Sequence, residues 1–317
     1  MEPRSTIVTV AAVDLDAATA FLADRYSNQV TTIETLRQGA WSSAYGFERD
    51  GTPYVIRFSN HLDDFQRDRH AHRYVGPNLP IPIVTEIGEA FGAHYAISER
   101  KFGTPIDTLD GPAMRALLPS LFAMLDGLRR ADISSTRGYG GWDADRVGSH
   151  ASWADFLLAA NVDDPESRGG GWKTTLEQSR LGMTAYNEVY VRLQRAVHVA
   201  PAERFLVHSD LLNYNMLVHD NAVSGVIDWG CSLYGDFLYD LAWIVFWAPW
   251  YPAWNEIDFL AEARQHYAEI GLQVPDFEQR MRLCLIHIGI THISYNAFIG
   301  DIDTAEVVAE RTLLLSD

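Results

Sequence analysis

Three oxygen-bearing side chains stand at spacings that suit phosphate chemistry. Asp210 and Asn215 are five apart in His208-Ser209-Asp210-Leu211-Leu212-Asn213-Tyr214-Asn215, and Asp228 opens Asp228-Trp229-Gly230. In phosphoryl transfer to a hydroxyl, one aspartate orients the attacking oxygen and takes its proton, while an asparagine and a second aspartate hold the metal. Magnesium keeps several waters and asks the protein for only a few oxygens, so Asn215 and Asp228 make a suitable partial shell and Asp210 is left for the acceptor. An Asp-x-x-x-x-Asn alone is common and usually marks a turn or a cap. Here His208 precedes it, apolar β-like runs flank it, and Asp228 ends a run where an unpaired charge is costly.

The elements that must position these residues are legible around them. Phe205 to Val207, Met216 to Val218 and Val223 to Ile227 read as short strands, and a reversal at Asp220-Asn221 returns Asp228 toward the Asp210 loop. These strands interrupt a helical region with segments at Pro112 to Arg130, Ser152 to Ala160, Thr174 to Val199, Asp258 to Ile270 and Asp276 to Ile299. Before residue 100 the texture differs. A helix over residues 14–27 precedes strands at Thr32 to Leu36, Ala44 to Glu48 and Tyr54 to Phe58, the last two joined by Asp50-Gly51. A helix from Asp63 to Val75 and strands at Ile83 to Ile87 and His94 to Ser98 follow. The expectation is an α+β, two-lobed chain, with residues 1–101 as the smaller sheet lobe and 102–317 as the larger, mainly helical one. The glycine-rich stretch Asp163 to Gly171 is expected to be a mobile loop.

Composition narrows the function classes. At 317 residues the chain exceeds the usual size of one core, which favours two lobes and a cleft. A net charge of −17 argues against nucleic acid as a partner. Residues 201–317 carry 17 acids and 5 bases, so that part should attract cations. Two cysteines, Cys231 and Cys284, make no disulfide framework, and no His/Cys spacing suits zinc. The apolar run Ile7 to Val13 is flanked by acids and suits neither a signal peptide nor an anchor, and Leu241 to Trp254 is too short and proline-broken to span a bilayer. A cytoplasmic chain with no membrane role is expected.

The Asp210/Asn215/Asp228 set resembles the Brenner-type motif of the aminoglycoside phosphotransferase family, relatives of the protein kinases. Further blocks carry the resemblance: Leu79-Pro80-Ile81-Pro82, Tyr95-Ala96-Ile97-Ser98, Trp153-Ala154-Asp155-Phe156, Gly235-Asp236 and Phe246-Trp247-Ala248-Pro249-Trp250. They span residues 35–255, and the tryptophan-rich block points to members acting on hygromycin B at the 4-hydroxyl of its cyclitol. The resemblance implies a protein-kinase-like fold, ATP and Mg2+ as cofactors, and antibiotic inactivation by an O-phosphotransferase. It also implies a phosphate-gripping cation on the third strand, usually lysine. No lysine precedes Lys101, so Arg57 falls to that role, paired with Asp68 on the next helix. The loop Gln38 to Ser43, with Gly39, Ser42 and Ser43, stands where kinases cover the phosphates, and the backbone of Ser98 to Arg100 stands where they seat the adenine. No Walker A sequence is present.

For the acceptor, Trp247, Trp250 and Tyr251, with Trp243 and Trp254, offer flat faces for sugar and cyclitol rings, and Asp236 among nearby acids offers charge for ammonium groups. Trp243 and Trp247, four apart, suit core packing equally, and Asp236 and Asp240 suit bracing of the Asp210 loop. The expected partners are a small cationic aminoglycoside and a nucleotide, bound by a monomer. A kinase of the same fold acting on another aminoglycoside, a macrolide or a hydroxylated metabolite is the competing reading.

Overall fold

The computed structural model describes residues 13–27, 29–37, 39 and 41–316. The run Ile7 to Ala12 and the loop positions Gln38 and Ala40 lie outside them. The N-terminal part is a five-stranded antiparallel sheet with two helices. Helix α1 (Leu15–Arg25), capped by the Asp14 carboxylate, leads into β1 (Val30–Thr35), β2 (Ser43–Arg49) and β3 (Thr52–Ser59), then α2 (Leu62–Ala71), β4 (Val84–Ala90) and β5 (Ala93–Glu99), in the order β1-β2-β3-β5-β4. Asp50 and Gly51 both take positive φ, as a two-residue hairpin turn requires, and Arg49 pairs with Thr52. One face of this sheet packs Tyr45, Phe47, Ile56, Phe58, Tyr95 and Ile97 against Ala18 and Leu22 of α1.

Two residues after β5 ends at Glu99 the chain turns into a much larger helical part. It contains β6 (Thr104–Pro105), α3 (Gly111–Arg129), β7 (Tyr139–Trp142), β8 (Gly148–His150), α4 (Trp153–Leu158), α5 (Trp172–Gln178), α6 (Thr184–Ala196) and β9 (Phe205–Val207). Then come β10 (Met216–His219), β11 (Ala222–Val226), β12 (Leu233–Gly235), α7 (Leu238–Trp247), α8 (Phe259–Glu269), α9 (Phe277–Ile299) and α10 (Ile302–Leu315). The sheets β11-β10-β6 and β8-β7-β12-β9 lie among these helices, and one continuous apolar core joins α3, α6, α7 and α9. Helix α9 is buried over most of its length, and at Gly289 it meets α10 so closely that any Cβ there would overlap the Thr312 side chain.

The outline matches the expected α+β, two-lobed fold, with three differences. The segment Thr174 to Val199 is two helices, α5 and α6, broken where Gly182 takes a φ of 61°. The helix expected to reach Val75 ends at Ala71 and tightens into a 3-10 turn, His72–Tyr74. The glycine-rich stretch 163–171 is fastened at both ends. Asp163 accepts the N–H groups of Gly171 and Lys173, and Arg168 pairs with Asp64 at 2.9 Å. Among the described residues no helix is long and apolar enough to cross a membrane.

Candidate active site

The hairpin β10–β11 reverses at Asp220-Asn221, again with positive φ at both residues, and delivers Asp228 beside the loop between β9 and β10. The two loops are stitched together through Ile227. Its N–H donates to Asn215 O at 2.9 Å, and its carbonyl accepts from His208 Nε2 at 2.9 Å. Because His208 Nδ1 accepts the Asp210 N–H at 3.3 Å, Nε2 carries the ring proton. Burial holds this imidazole down at about 4, so it is neutral and serves as a brace rather than a base.

Asp240, on α7, grips the same loop from beneath. Its carboxylate accepts the N–H groups of His208 at 2.9 Å and Ser209 at 2.7 Å. Ser209, Asn213, Tyr214 and Asp228 all take left-handed φ values between 61° and 71°. Such conformations cost free energy in residues with side chains and persist only where the surroundings over-determine them, which is the condition of a working site.

Asp210 is the focus of this arrangement. Asn213 Nδ2 donates to its Oδ1 at 2.7 Å, and Asn215 Nδ2 donates to its Oδ2 at 3.1 Å. Burial raises the Asp210 carboxyl well above the ordinary range; Asp228 and Asp107 push the same way, while the two amide donors pull it down. With its nitrogen spent on Asp210, the Asn215 amide presents its oxygen away from that contact. The Asp228 carboxylate is about half exposed to the cleft. One neutral and one anionic oxygen from facing loops, beside an open space, fit a hard cation that keeps its waters and substrate phosphates.

Above these loops, Arg57 on β3 forms an ion pair with Asp68 of α2 and lies 3.8 Å from Asp228. Asp68 in turn accepts the Trp229 N–H at 2.8 Å, so a single buried carboxylate couples the N-terminal sheet, α2 and the Asp228 loop. Arg67, one residue earlier, donates to Trp142 O and Gly230 O. At Gly230 the Asp228 loop and α2 approach closely, since a Cβ there would lie 2.9 Å from the Asp64 carboxylate and would push it aside. These contacts enclose a cleft of about 380 Å³ that includes Arg37, Ser42, Arg57, Ser98, Asn215 and Asp228.

Not every expected residue reaches the cleft. Ser43 is buried on the other face of β2, because strand alternation puts it with Tyr45 and Phe47 and leaves Ser42 and Ala44 to line the space. Ser98 and Arg100 do line it, but the N–H groups of Glu99 and Arg100 already donate to Ile83 O and Pro53 O. A nucleobase would therefore take its backbone donor from beyond Arg100. Asp236 is fully buried and receives two bonds from the Arg280 guanidinium, at 2.6 and 2.9 Å, so it secures α9 and offers nothing to a substrate. The Tyr251 hydroxyl donates to Asp107 at 2.7 Å, and its ring stacks on Trp254.

Trp247 packs among Trp243, Phe246, Trp250 and His292; Trp250 is 38% exposed and stacks on Phe246. Sequence reading missed Asn213, Tyr214, Asp107, Arg37 and Arg67. Only Asn213 carried a signal, as a second amide inside the Asp210–Asn215 span; the others depend on which distant segments meet.

Comparison with known proteins agrees with this fold. The model of the phosphotransferase enzyme family matches residues 32–280. The chain is 29% identical over 287 residues to the hygromycin-B 4-O-kinase of Escherichia coli, covering 90% of this chain and 80% of that protein. The crystal structure of a thermostable mutant of aminoglycoside phosphotransferase APH(4)-Ia, in ternary complex with AMP-PNP and hygromycin B, superposes with a TM-score of 0.81 at 28% identity, covering 94% of this chain and 97% of that one. Macrolide 2'-phosphotransferase MphH from Brachybacterium faecium shares the fold at 18% identity and a TM-score of 0.60, over 94% of this chain and 97% of the other.

Proposed function

Since the chain belongs to the phosphotransferase enzyme family, we propose that it transfers the γ-phosphoryl group of ATP to a hydroxyl of an aminoglycoside, with hygromycin B and its 4-hydroxyl as acceptor. The observation that carries this reading is the meeting of Asn215, Asp228 and Arg57 on one cleft, with Asp210 hydrogen-bonded to the Asn215 amide. Asp210, aimed by Asn213 and Asn215, would orient the acceptor hydroxyl and take its proton, its elevated proton affinity matching that task. Arg57, fixed by Asp68, would hold phosphate oxygens through a planar fork. Asn215 Oδ1 and the Asp228 carboxylate would hold Mg2+, which when bound neutralises phosphate charge and orients the triphosphate.

The lobe division falls between residues 101 and 102 in this reading, supported by β6, which already pairs with β10. A monomer is proposed, and the need for ATP favours the cytoplasm. The deciding experiment incubates the protein with ATP, Mg2+ and a panel of aminoglycosides and macrolides. Mass spectrometry should find one added phosphate on hygromycin B, and NMR should place it on the 4-hydroxyl. Phosphate on a macrolide alone would overturn the acceptor. Asp210→Ala should lose turnover by at least about a thousandfold while still binding ATP; activity equal to the parent would remove Asp210 from the role of base.

A further inference from the structure

The 3-10 turn Ile106–Thr108 follows the crossing between the lobes and aims one carboxylate at the loop that carries Asp210. Asp107 Oδ1 accepts the N–H of Asn213 at 2.9 Å, and Oδ2 accepts the N–H of Tyr214 at 2.8 Å. Both residues sit at left-handed φ, 62° and 71°. Consecutive N–H groups turned to the same side in this way converge on a single anion, and that anion offsets the cost of the conformation. Asn213, so held, is the residue whose amide donates to Asp210 Oδ1 at 2.7 Å.

Asp107 is itself held. The Tyr251 hydroxyl donates to its Oδ1 at 2.7 Å, the Tyr251 ring stacks on Trp254 with centroids 4.3 Å apart, and Trp254 Nε1 donates to Leu109 O at 3.0 Å. The circuit closes on the turn where it began. It links the aromatic segment after α7 to the loop of Asp210 without passing through the cleft.

We propose that Asp107 and Tyr251 are positioning residues: Asp107 holds the strained turn at 213–214 so that Asn213 aims Asp210, and Tyr251 holds Asp107. This inference rests on the reading of Asp210 as base. Neither residue lines the cleft, so both are expected to act on the rate of the chemical step and not on binding.

The test uses the full-length chain with Asp107→Asn and Tyr251→Phe. Amide hydrogen exchange should quicken by about tenfold at Asn213 and Tyr214 in Asp107→Asn. Amides of His208 and Ser209, held by Asp240, should keep the parental rate and report that the fold is intact. With ATP and the accepted aminoglycoside, kcat should fall about tenfold in Asp107→Asn and about threefold in Tyr251→Phe, with both KM values within about twofold of the parent. Parental exchange at 213 and 214, or parental kcat in both variants, overturns the proposal, as does a loss confined to KM.

If Asp107→Asn fails to fold, Tyr251→Phe, which removes one hydroxyl, carries the same two readouts. The exchange measurement needs no acceptor. An active Asp210→Ala would end the base assignment and the catalytic role of Asp107 and Tyr251 with it, leaving only their hold on the 213–214 turn, whereas an inactive Asp210→Ala beside parental Asp107 and Tyr251 variants would end the positioning assignment alone.

Discussion

Arg57 is the side chain on which the proposed phosphate grip rests. It is paired with the buried Asp68, passes over the Phe65 ring and lies within 4 Å of Asp228, so its fork is oriented before any ligand arrives. Pre-orientation of this kind lowers the ordering cost of binding. Truncation should then be felt in nucleotide affinity: Arg57→Ala is expected to raise KM for ATP by about tenfold or more, roughly the 1.5–3 kcal/mol of a hydrogen bond to a charged group. Steady-state kinetics with ATP varied checks it, and an unchanged or lower KM would release Arg57 from the phosphate role. Asp240 shows a second residue-level effect. Burial pushes its carboxyl up to about 7, against the pull of the His208 and Ser209 N–H groups. Between the ordinary value of about 4 and this value the folded state holds a proton that the unfolded chain has released, so the contribution is full at low pH and lost as pH rises through about 7. The melting temperature of the parent relative to Asp240→Asn should therefore decline as pH rises through this window and then level off; a constant difference would contradict the shift.

At the scale of elements, the site depends on how α2, α7 and α9 are pinned. Helix α2 is tied to the Asp228 loop by Asp68 and Arg67, and Gly230 lets it approach. Helix α7 carries Asp240 upward against the loop of Asp210, and its start at Leu238 is fixed by Asp236, which accepts the Leu238 N–H at 3.0 Å and two bonds from Arg280 of α9. This pair is almost wholly buried, so removing one partner strands the other. Asp236→Ala is expected to destabilise the protein by about 3–5 kcal/mol, because the Arg280 charge would remain without a counter-ion. Urea denaturation measures this, and a loss below about 1 kcal/mol would mean that the pair is as dispensable as a surface one. The hairpin turns and the outlines of most helices were readable because Asp50-Gly51, Asp220-Asn221 and apolar periodicity are local signals. The break between α5 and α6 was not, since the residues around Gly182 carry no proline and the apolar spacing continues across them.

The whole molecule presents a strongly acidic surface to its proposed acceptor. A polycationic aminoglycoside approaching a chain of net charge −17 is attracted over a Debye length, about 10 Å at 0.1 M salt, and that attraction is screened as salt rises. KM for the cationic acceptor is expected to rise at least about threefold between roughly 0.05 and 0.5 M KCl, while kcat changes little. Kinetics at the two salt concentrations decide it, and a salt-independent KM would confine recognition to short-range contacts. In the proposed reading the two lobes divide the labour: the N-terminal sheet brings Arg57 to the cleft, and the helical part brings Asn215 and Asp228 with Asp210 beside them.

Residue types and spacings alone were enough to single out Asp210, Asn215 and Asp228 as candidates and to place the change from sheet to helices near residue 100, whereas the role left to Arg57 with its partner Asp68 came from the family resemblance. Asp210, Asn215 and Asp228 lie within one motif and the hairpin that follows it, so a short stretch of chain brings them together. Which polar groups are free was decided by tertiary packing. Asp236 and Asp240 read alike in the chain, yet one is neutralised by Arg280, 44 residues away, and the other is spent on two backbone N–H groups. Ser43 and Ser42 differ by a single step of a strand, which reverses the face. Asp107 meets Asn213 and Tyr251 only when segments more than a hundred residues apart close on one carboxylate, and no local pattern records that meeting.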